Sequence, residues 1–179
     1  MIPVDIIKKY YQEETELYRI LLEHSFAVAN KSLSLAQMHP EMNMDIPFIY
    51  EAAMLHDIGI IKTNAPEIYC YGKFPYICHG YLGSDMLKAE SLPRHALVCE
   101  RHTGTGLSLE QIIKNNLPVP LRNMLPESQE EQLICFADKF YSKTSPEKEK
   151  SVDKIRKSLF KHGDDSVRKF NNWCKIFLG

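Results

Sequence analysis

Six metal-ligand residue types, spread over most of the chain, restrict its fold more than any other feature. They are His24, His56, Asp57, His79, His102 and Asp138. Counted from His24 through His56, His79 and His102 to Asp138, the successive spacings are 32, 23, 23 and 36 residues. Gaps of this length exclude a local zinc knuckle and suit a site inside a helical bundle, to which separate helices contribute ligands. For any single histidine an ordinary polar role is the simpler interpretation, but the ordered set favours a metal site.

The apolar pattern predicts helices almost throughout and gives almost no signal for strands. Prolines and glycines divide the pattern into segments. The predicted helices run from Pro3 to about Leu22, from His24 to before His39-Pro40, from Pro47 to Gly59, from His79, from Pro93 to about His102, over about 108–116, and from about Glu130 to Tyr141. Residues 59–78 and 103–106 are predicted loops. Residues 147–178 predict one or two amphipathic helices that pack through Ile155, Leu159, Phe170, Trp173 and Phe177.

Composition limits the class of protein. A chain of 179 residues fits one domain. Its net charge of −1 argues against a general nucleic-acid-binding protein and against a protein that binds membrane surfaces. No apolar run is long enough to cross a bilayer, and the N-terminal segment lacks an apolar signal core. The five cysteines form no CxxC pair, which indicates reduced thiols and a cytoplasmic location.

The ligand types indicate which metals would bind. Asp138 interrupts an apolar helix face, and a buried carboxylate needs a partner, for which a divalent ion is the strongest choice. Imidazoles and carboxylates without a thiolate favour iron, manganese, cobalt or zinc. Six protein ligands are more than one ion would take while it keeps a position open for water. The sequence therefore predicts two ions a few ångströms apart, bridged by Asp57.

The order His24, His56-Asp57, Asp138, with the run HDIG at 56–59, resembles the HD-domain superfamily of metal-dependent phosphohydrolases. CHG at 78–80 and ERHTGTGL at 100–107 resemble small stand-alone members with six ligands, an order shared by the bacterial HD-type hydrolases that split diadenosine tetraphosphate symmetrically. The segment 117–139 looks closer to uncharacterised stand-alone HDIG proteins. The resemblance implies an all-α HD bundle with its core at about 20–143, a C-terminal helical extension over 144–179, and metal binding by all six residues.

Contacts to a substrate are predicted beside the ligands. Lys62 follows Asp57 at the start of a long loop and would bind a phosphate oxygen, although a solvated lysine fits as well. Arg101 flanks a ligand and would line the rim or face solvent. Thr103 and Gly104 would offer a hydroxyl and backbone amides to a phosphate, or would only end a helix.

The function implied is hydrolysis of a phosphate ester or anhydride in a small molecule. The expected substrate is a nucleotide or dinucleoside polyphosphate, attacked at phosphorus by metal-bound hydroxide, with Asp57 and Lys62 as catalytic residues. Two ions are expected as cofactors, iron or manganese ahead of cobalt or zinc. No nucleic-acid polymer and no membrane is expected as a partner, and a homodimer is left open. The alternative is a nucleotide-sensing module that keeps the metal site but has little or no turnover.

Overall fold

The computed structural model describes all 179 residues and is mostly helical. In chain order the helices are α1 (Pro3–Lys8), α2 (Glu16–Met38), α3 (Ile46–Leu55), α4 (His79–Ala89), α5 (Pro93–Arg101), α6 (Leu109–Lys114), α7 (Gln129–Asp138), α8 (Val152–Phe160) and α9 (Asp164–Phe177). Short 3₁₀ helices cover Pro40–Met42, Ile58–Lys62, Pro66–Ile68 and Tyr76–Cys78. The predicted all-α bundle with additional C-terminal helices is confirmed. No helix has both the length and the apolar character that crossing a membrane requires.

Local sequence explains where several helices begin. The side chain before the first helical residue accepts a hydrogen bond from a backbone N–H of the first turn, which would otherwise lack a partner. At α6 the bond is reciprocal, because Gln111 also accepts a hydrogen bond from the backbone of Ser108. The capping residues are Thr15, Asp45, Ser108, Ser128 and Ser151.

The first predicted helix boundary is wrong. The chain forms a short α1 and then a separate α2, which begins at Glu16 and continues through His24 to Met38. The break occurs where Glu14 adopts a left-handed backbone conformation, with φ of 69°. Thr15 then caps the new helix by accepting a hydrogen bond from the backbone N–H of Tyr18. His24 therefore lies inside a long helix, which fixes its position more firmly than a helix end would.

The predicted loop at 59–78 contains a small sheet. Strands β1 (Thr63–Ala65), β2 (Cys70–Tyr71) and β3 (Phe74–Pro75) lie in the order β2-β1-β3, with β1 antiparallel to β2 and parallel to β3. The register pairs Asn64 with both Tyr71 and Pro75. Strands of two or three residues have no measurable hydrophobic alternation, so sequence periodicity does not reveal them.

Gly59 has a different role from the one predicted. The helix α3 ends at Leu55, and Gly59 lies in the 3₁₀ helix Ile58–Lys62 that packs against α4. A Cβ at Gly59 would lie 2.1 Å from the carbonyl oxygen of His79 and 2.4 Å from the backbone nitrogen of Gly83. The glycine is needed because two backbones touch here, and this contact holds the histidine–aspartate pair beside α4.

Two apolar clusters form the core. The larger has 21 buried residues, mainly from α2, α3, α7, α8 and α9, and the smaller has 14, mainly from α1, the 58–70 segment, α4 and α5. On α2, His24 lies between Leu21 of the smaller cluster and Val28 of the larger one. The candidate ligands therefore lie along the boundary between the clusters. The packing positions predicted in the C-terminal region are confirmed as buried: Ile155, Leu159, Phe170, Trp173 and Phe177.

Candidate metal centre

The helix ends bring five of the six candidate ligands together. His56 and His102 are the C-cap residues of α3 and α5, and Asp138 is the last residue of α7. The carbonyl groups at a helix C-terminus carry partial negative charge, so three such ends favour a cation in the space between them. Asp57 directly follows α3, and His79 opens α4. His24 reaches the same point from the middle of α2.

The first group of ligand atoms consists of two histidines and two carboxylates. The Nε2 atom of His24 lies 3.0 Å from Asp138 Oδ1 and 3.1 Å from Asp57 Oδ2. The Nε2 atom of His56 lies 3.1 Å from the same Asp57 oxygen and 3.5 Å from Asp138 Oδ1. Atoms that ligate one transition-metal ion at about 2.0–2.2 Å are separated by distances of this order. The four residues therefore form one possible ion site.

The second group uses the other oxygen of Asp57. His79 Nε2 lies 3.5 Å and His102 Nε2 3.3 Å from Asp57 Oδ1, and the two nitrogens are 3.0 Å apart. Asp57 thus turns one oxygen towards each group of histidines. This is the arrangement by which a single carboxylate bridges two neighbouring ions.

Backbone contacts orient three of the histidine rings. The Nδ1 atoms of His56, His79 and His102 lie 2.6, 2.7 and 2.7 Å from the carbonyl oxygen three residues earlier. A neutral ring that donates its Nδ1 proton to such a carbonyl presents the lone pair of Nε2 to the centre. For His56 and His102 the sequence determines this orientation locally, because both are C-cap residues beside carbonyls that the helix leaves unpaired. His79 is held instead by the carbonyl of Tyr76 in the preceding 3₁₀ helix.

The donor set fits divalent ions. His56 Nε2 and Asp57 Oδ1 are buried without a hydrogen-bond partner. With both Nδ1 protons directed at carbonyls, the facing Nε2 lone pairs of His79 and His102 repel each other unless a cation or proton lies between them. Buried polar atoms that converge in this way need a positive charge at their centre. These residues would hold divalent metal.

Burial and neighbouring charge keep most of the donors in metal-binding form. Burial, followed by the charge of His102, lowers the pKa of His79 to about 3, and burial lowers the pKa of His102. Burial alone would raise the pKa of Asp57, but the charges of Lys143 and His56 outweigh it and hold the pKa well below its usual range. Metal ligands must be neutral imidazoles and ionised carboxylates, a form that His79, His102 and Asp57 have. His56 differs, because burial lowers its pKa but the charge of Asp57 outweighs burial and raises the pKa to about 9, so a metal ion would displace its second ring proton.

Two half-buried lysines pair with the carboxylates. Lys143, in the segment between α7 and α8, places its Nζ atom 2.6 Å from Asp57 Oδ2. Lys139 places its Nζ atom 2.7 Å from Asp138 Oδ2 and donates a hydrogen bond of 3.2 Å to the carbonyl of His102. Each ammonium lies beside a candidate metal ligand, so its positive charge can attract an anion that binds at the metal centre.

A cavity of about 330 Å³ opens over the first group of ligands. Its floor includes His24 and Asp138, and α8 forms one wall. Three lysines outnumber the one acidic side chain outside the ligand set, Glu67, so the cavity favours an anionic molecule. The remaining lining residues are Ile68, Tyr76, Lys139, Tyr141, Ser142, Lys143, Thr144, Lys150, Ile155, Ser158 and Leu159.

None of the four predicted substrate contacts lines this cavity. Lys62 is exposed, and Arg101 forms ion pairs with Glu127 at 3.2 Å and Glu131 at 2.9 Å. Thr103 is half-buried and packs close to Gly80. Gly104 is exposed with open space around it.

Lys143 is the cavity residue that the sequence interpretation missed. It lies only five residues after Asp138 in the run DKFYSK, and the turn that ends α7 carries it back over the ligands. A lysine shortly after an aspartate at a helix end is the one available signal. It is weak, because most such lysines are solvated.

Comparison with known proteins identifies the family. The model of the HD domain family matches residues 21–142, which is more than half of the chain and includes all six candidate ligands. The chain belongs to the HD domain family. The HD match agrees with the helical fold and with the cluster of histidines and aspartates described above.

Three relatives are similar in sequence. Two carry the name tRNA (cytidine(56)-2′-O)-methyltransferase. One is from Thermoplasma volcanium, 25% identical over 98% of this chain and 46% of the relative. The other is from Picrophilus torridus, 31% identical over 69% of this chain and 32% of the relative. An uncharacterized protein of Methanocaldococcus jannaschii is 30% identical over 66% of this chain and 64% of its own. The chain thus spans less than half of either named methyltransferase, and no solved structure matches it.

Proposed function

We propose that this chain is a dinuclear metal-dependent phosphohydrolase that acts on a phosphate ester or anhydride of a small molecule, such as a nucleotide. The observation that carries the proposal is the division of Asp57 between two groups of histidines. We propose iron or manganese as the metal, because the donors are imidazoles and carboxylates without thiolate. The ions would supply a water of lowered pKa and positive charge for the phosphoryl oxygens.

The protein's own residues bind and orient the substrate in this proposal. Asp57 is shared by the two groups of ligands, Asp138 completes the first group, and backbone carbonyls fix three of the histidine rings. The lysines of the cavity attract the phosphate, whereas Tyr76 and Tyr141 offer apolar ring surface to the rest of the molecule. A volume of about 330 Å³ supports a small substrate because it is at the lower end of the range for small-molecule sites.

The names of the relatives indicate an alternative to test. Two of them are named for methyl transfer to a tRNA ribose, but more than half of each lies outside the matched region. The match therefore does not place the methyl-transfer site within this chain. The cavity is lined by lysines and lies above carboxylates and histidines, which supports phosphate chemistry.

We also propose a cytoplasmic location, because the five cysteines form no disulfide bond.

A substrate panel tests the proposal. Purified protein loaded with iron, manganese, cobalt or zinc is incubated with nucleoside phosphates, dinucleoside polyphosphates, simple phosphoesters and tRNA, and released phosphate or nucleotide is measured. We expect multiple turnovers on at least one small phosphorylated compound, and none with Asp57→Asn. Tight binding of a nucleotide with no turnover under any metal would replace the hydrolase by the nucleotide-sensing alternative. In a parallel assay with S-adenosylmethionine as methyl donor, methylation of tRNA by a protein that shows no hydrolysis would contradict both.

A further inference from the structure

Lys143 contacts a carboxylate oxygen that a metal ion in the first group would also use. Its ammonium lies 2.6 Å from Asp57 Oδ2. The Nε2 atoms of His24 and His56 both lie 3.1 Å from the same oxygen. An ion in the first group would bind this oxygen between the two imidazoles. Two cations beside one carboxylate oxygen repel each other strongly in a buried site, so the ion and the ammonium compete for it.

Lys139 and Lys143 differ in how firmly they are held. Lys139 has two partners, the carboxylate of Asp138 and the carbonyl of His102. Lys143 forms its one ion pair with Asp57, and its Nζ atom lies 5.6 Å from the centre of the Tyr76 ring. If a metal ion binds Asp57, Lys139 keeps a backbone partner, whereas Lys143 loses the carboxylate that neutralises its charge. Of the two lysines, Lys143 is therefore the one that metal binding would displace.

The surroundings of Lys143 allow that movement. The residue belongs to the connection between α7 and α8, whose ends are joined by a hydrogen bond of 2.8 Å from the backbone N–H of Lys150 to the carbonyl of Phe140. The flexible four-carbon stem can swing the ammonium while this backbone stays in place. The side chain lines the cavity, so the ammonium can leave Asp57 without entering an apolar region.

We propose that Lys143 and divalent metal compete for Asp57, and that the Lys143 ammonium, when metal binds there, turns into the cavity and binds a phosphate oxygen of the substrate. This inference rests on the proposed function, since it assigns a phosphate-binding residue to that reaction. The phosphate would restore the counter-charge that the ammonium loses to the metal. A charge-assisted hydrogen bond of this kind forms only after metal loading, so metal would bind before substrate.

The test compares Lys143→Met with Lys148→Met. Lys148 is an exposed lysine of the same connection that does not line the cavity. Two affinities are measured for each protein: that for Mn²⁺, by competition with a chelator, and that of the Mn²⁺-loaded protein for inorganic phosphate, by calorimetry. We expect Lys143→Met to bind Mn²⁺ about tenfold more tightly, because the competing ammonium is gone. It should bind phosphate about ten- to a hundredfold more weakly, the range expected for one lost charge-assisted hydrogen bond. Lys148→Met should change neither value.

The opposite pattern would overturn the inference. If Lys143→Met bound Mn²⁺ as the wild type does or less tightly, or bound phosphate normally, Lys143 would be only a structural partner of Asp57. Lys143→Gln replaces Lys143→Met if the latter does not fold, because the amide keeps a donor near Asp57 without the charge. Mn²⁺ and phosphate binding without hydrolysis would count against the proposed function alone, whereas a wild-type protein that bound no Mn²⁺ would refute both.

Discussion

Asp57 combines three features that are rarely found in one side chain. It is completely buried, it faces four histidine nitrogens within 3.5 Å, and its Oδ1 atom has no hydrogen-bond partner. An ionised carboxylate in this position is costly without a positive charge beside it. The ammonium of Lys143 meets part of that need, and divalent ions would meet it in full.

Replacement of Asp57 should therefore remove the metal from both groups. Asp57→Asn keeps the shape of the side chain but loses the charge and one oxygen, so elemental analysis should find metal at background level. His95→Ala is the matched control, since His95 lies 3.2 Å from Glu51 and packs on Phe48 away from the ligands. It should retain wild-type metal content. Full metal content in Asp57→Asn would show that the carboxylate does not bridge.

The number of ions is tested separately through His79. His79 contributes to the second group of ligand atoms and not to the first. We expect wild-type protein to hold two ions per chain and His79→Ala to hold one, because the His24, His56, Asp57 and Asp138 group stays complete. Metal titration followed by elemental analysis measures both values. A wild-type protein that saturates at one ion would contradict the dinuclear site.

At the scale of elements, the contact between the 3₁₀ helix Ile58–Lys62 and α4 determines where two of the ligands lie. Gly59 allows the two backbones to touch, so Asp57 stays beside His79. Gly59→Ala should destabilise the protein by about 3 kcal/mol or more, because the added carbon meets backbone atoms that cannot move aside. In Gly104→Ala the carbon meets nothing within 4 Å, and the positive φ of 63° should cost only about 1–2 kcal/mol. Urea unfolding measures both, and equal losses would show that the contact is unimportant.

The elements also show what the sequence could predict. The spacing along the chain predicts α7 from about Glu130 to Tyr141, and the helix is found at Gln129–Asp138, because helical periodicity is a local signal whereas the exact helix end is not. The strands at 63–75 were missed, since they depend on pairing between short segments that lack periodicity. The six candidate ligands were predicted because their order is visible along the chain. The role of Lys143 was not predicted, because its approach to Asp57 depends on how the segment after α7 folds back over the ligands.

At the scale of the whole molecule, α8 and α9 belong to the main core, although the family match ends at residue 142. Phe136 of α7, the helix that ends at Asp138, contacts Phe170 and Phe177 of α9 at ring distances of 5.2 and 5.5 Å. Leu159 of α8 belongs to the same cluster and also lines the cavity. The C-terminal helices therefore support the position of one ligand and form part of the cavity wall.

This packing predicts a large difference between two C-terminal phenylalanines. Phe170 is fully buried, so Phe170→Ala should lower the free energy of unfolding by about 3–5 kcal/mol through lost burial and the cavity left behind. Phe160 at the end of α8 is 67% exposed, so Phe160→Ala should change it by no more than about 0.5 kcal/mol. Because the Phe170 cluster extends to α7, metal affinity should also fall in Phe170→Ala and not in Phe160→Ala. Denaturant unfolding and metal titration measure the two effects. Equal stability of the two variants would mean that α9 does not stabilise the core, and that residues 21–142 form the metal centre without it.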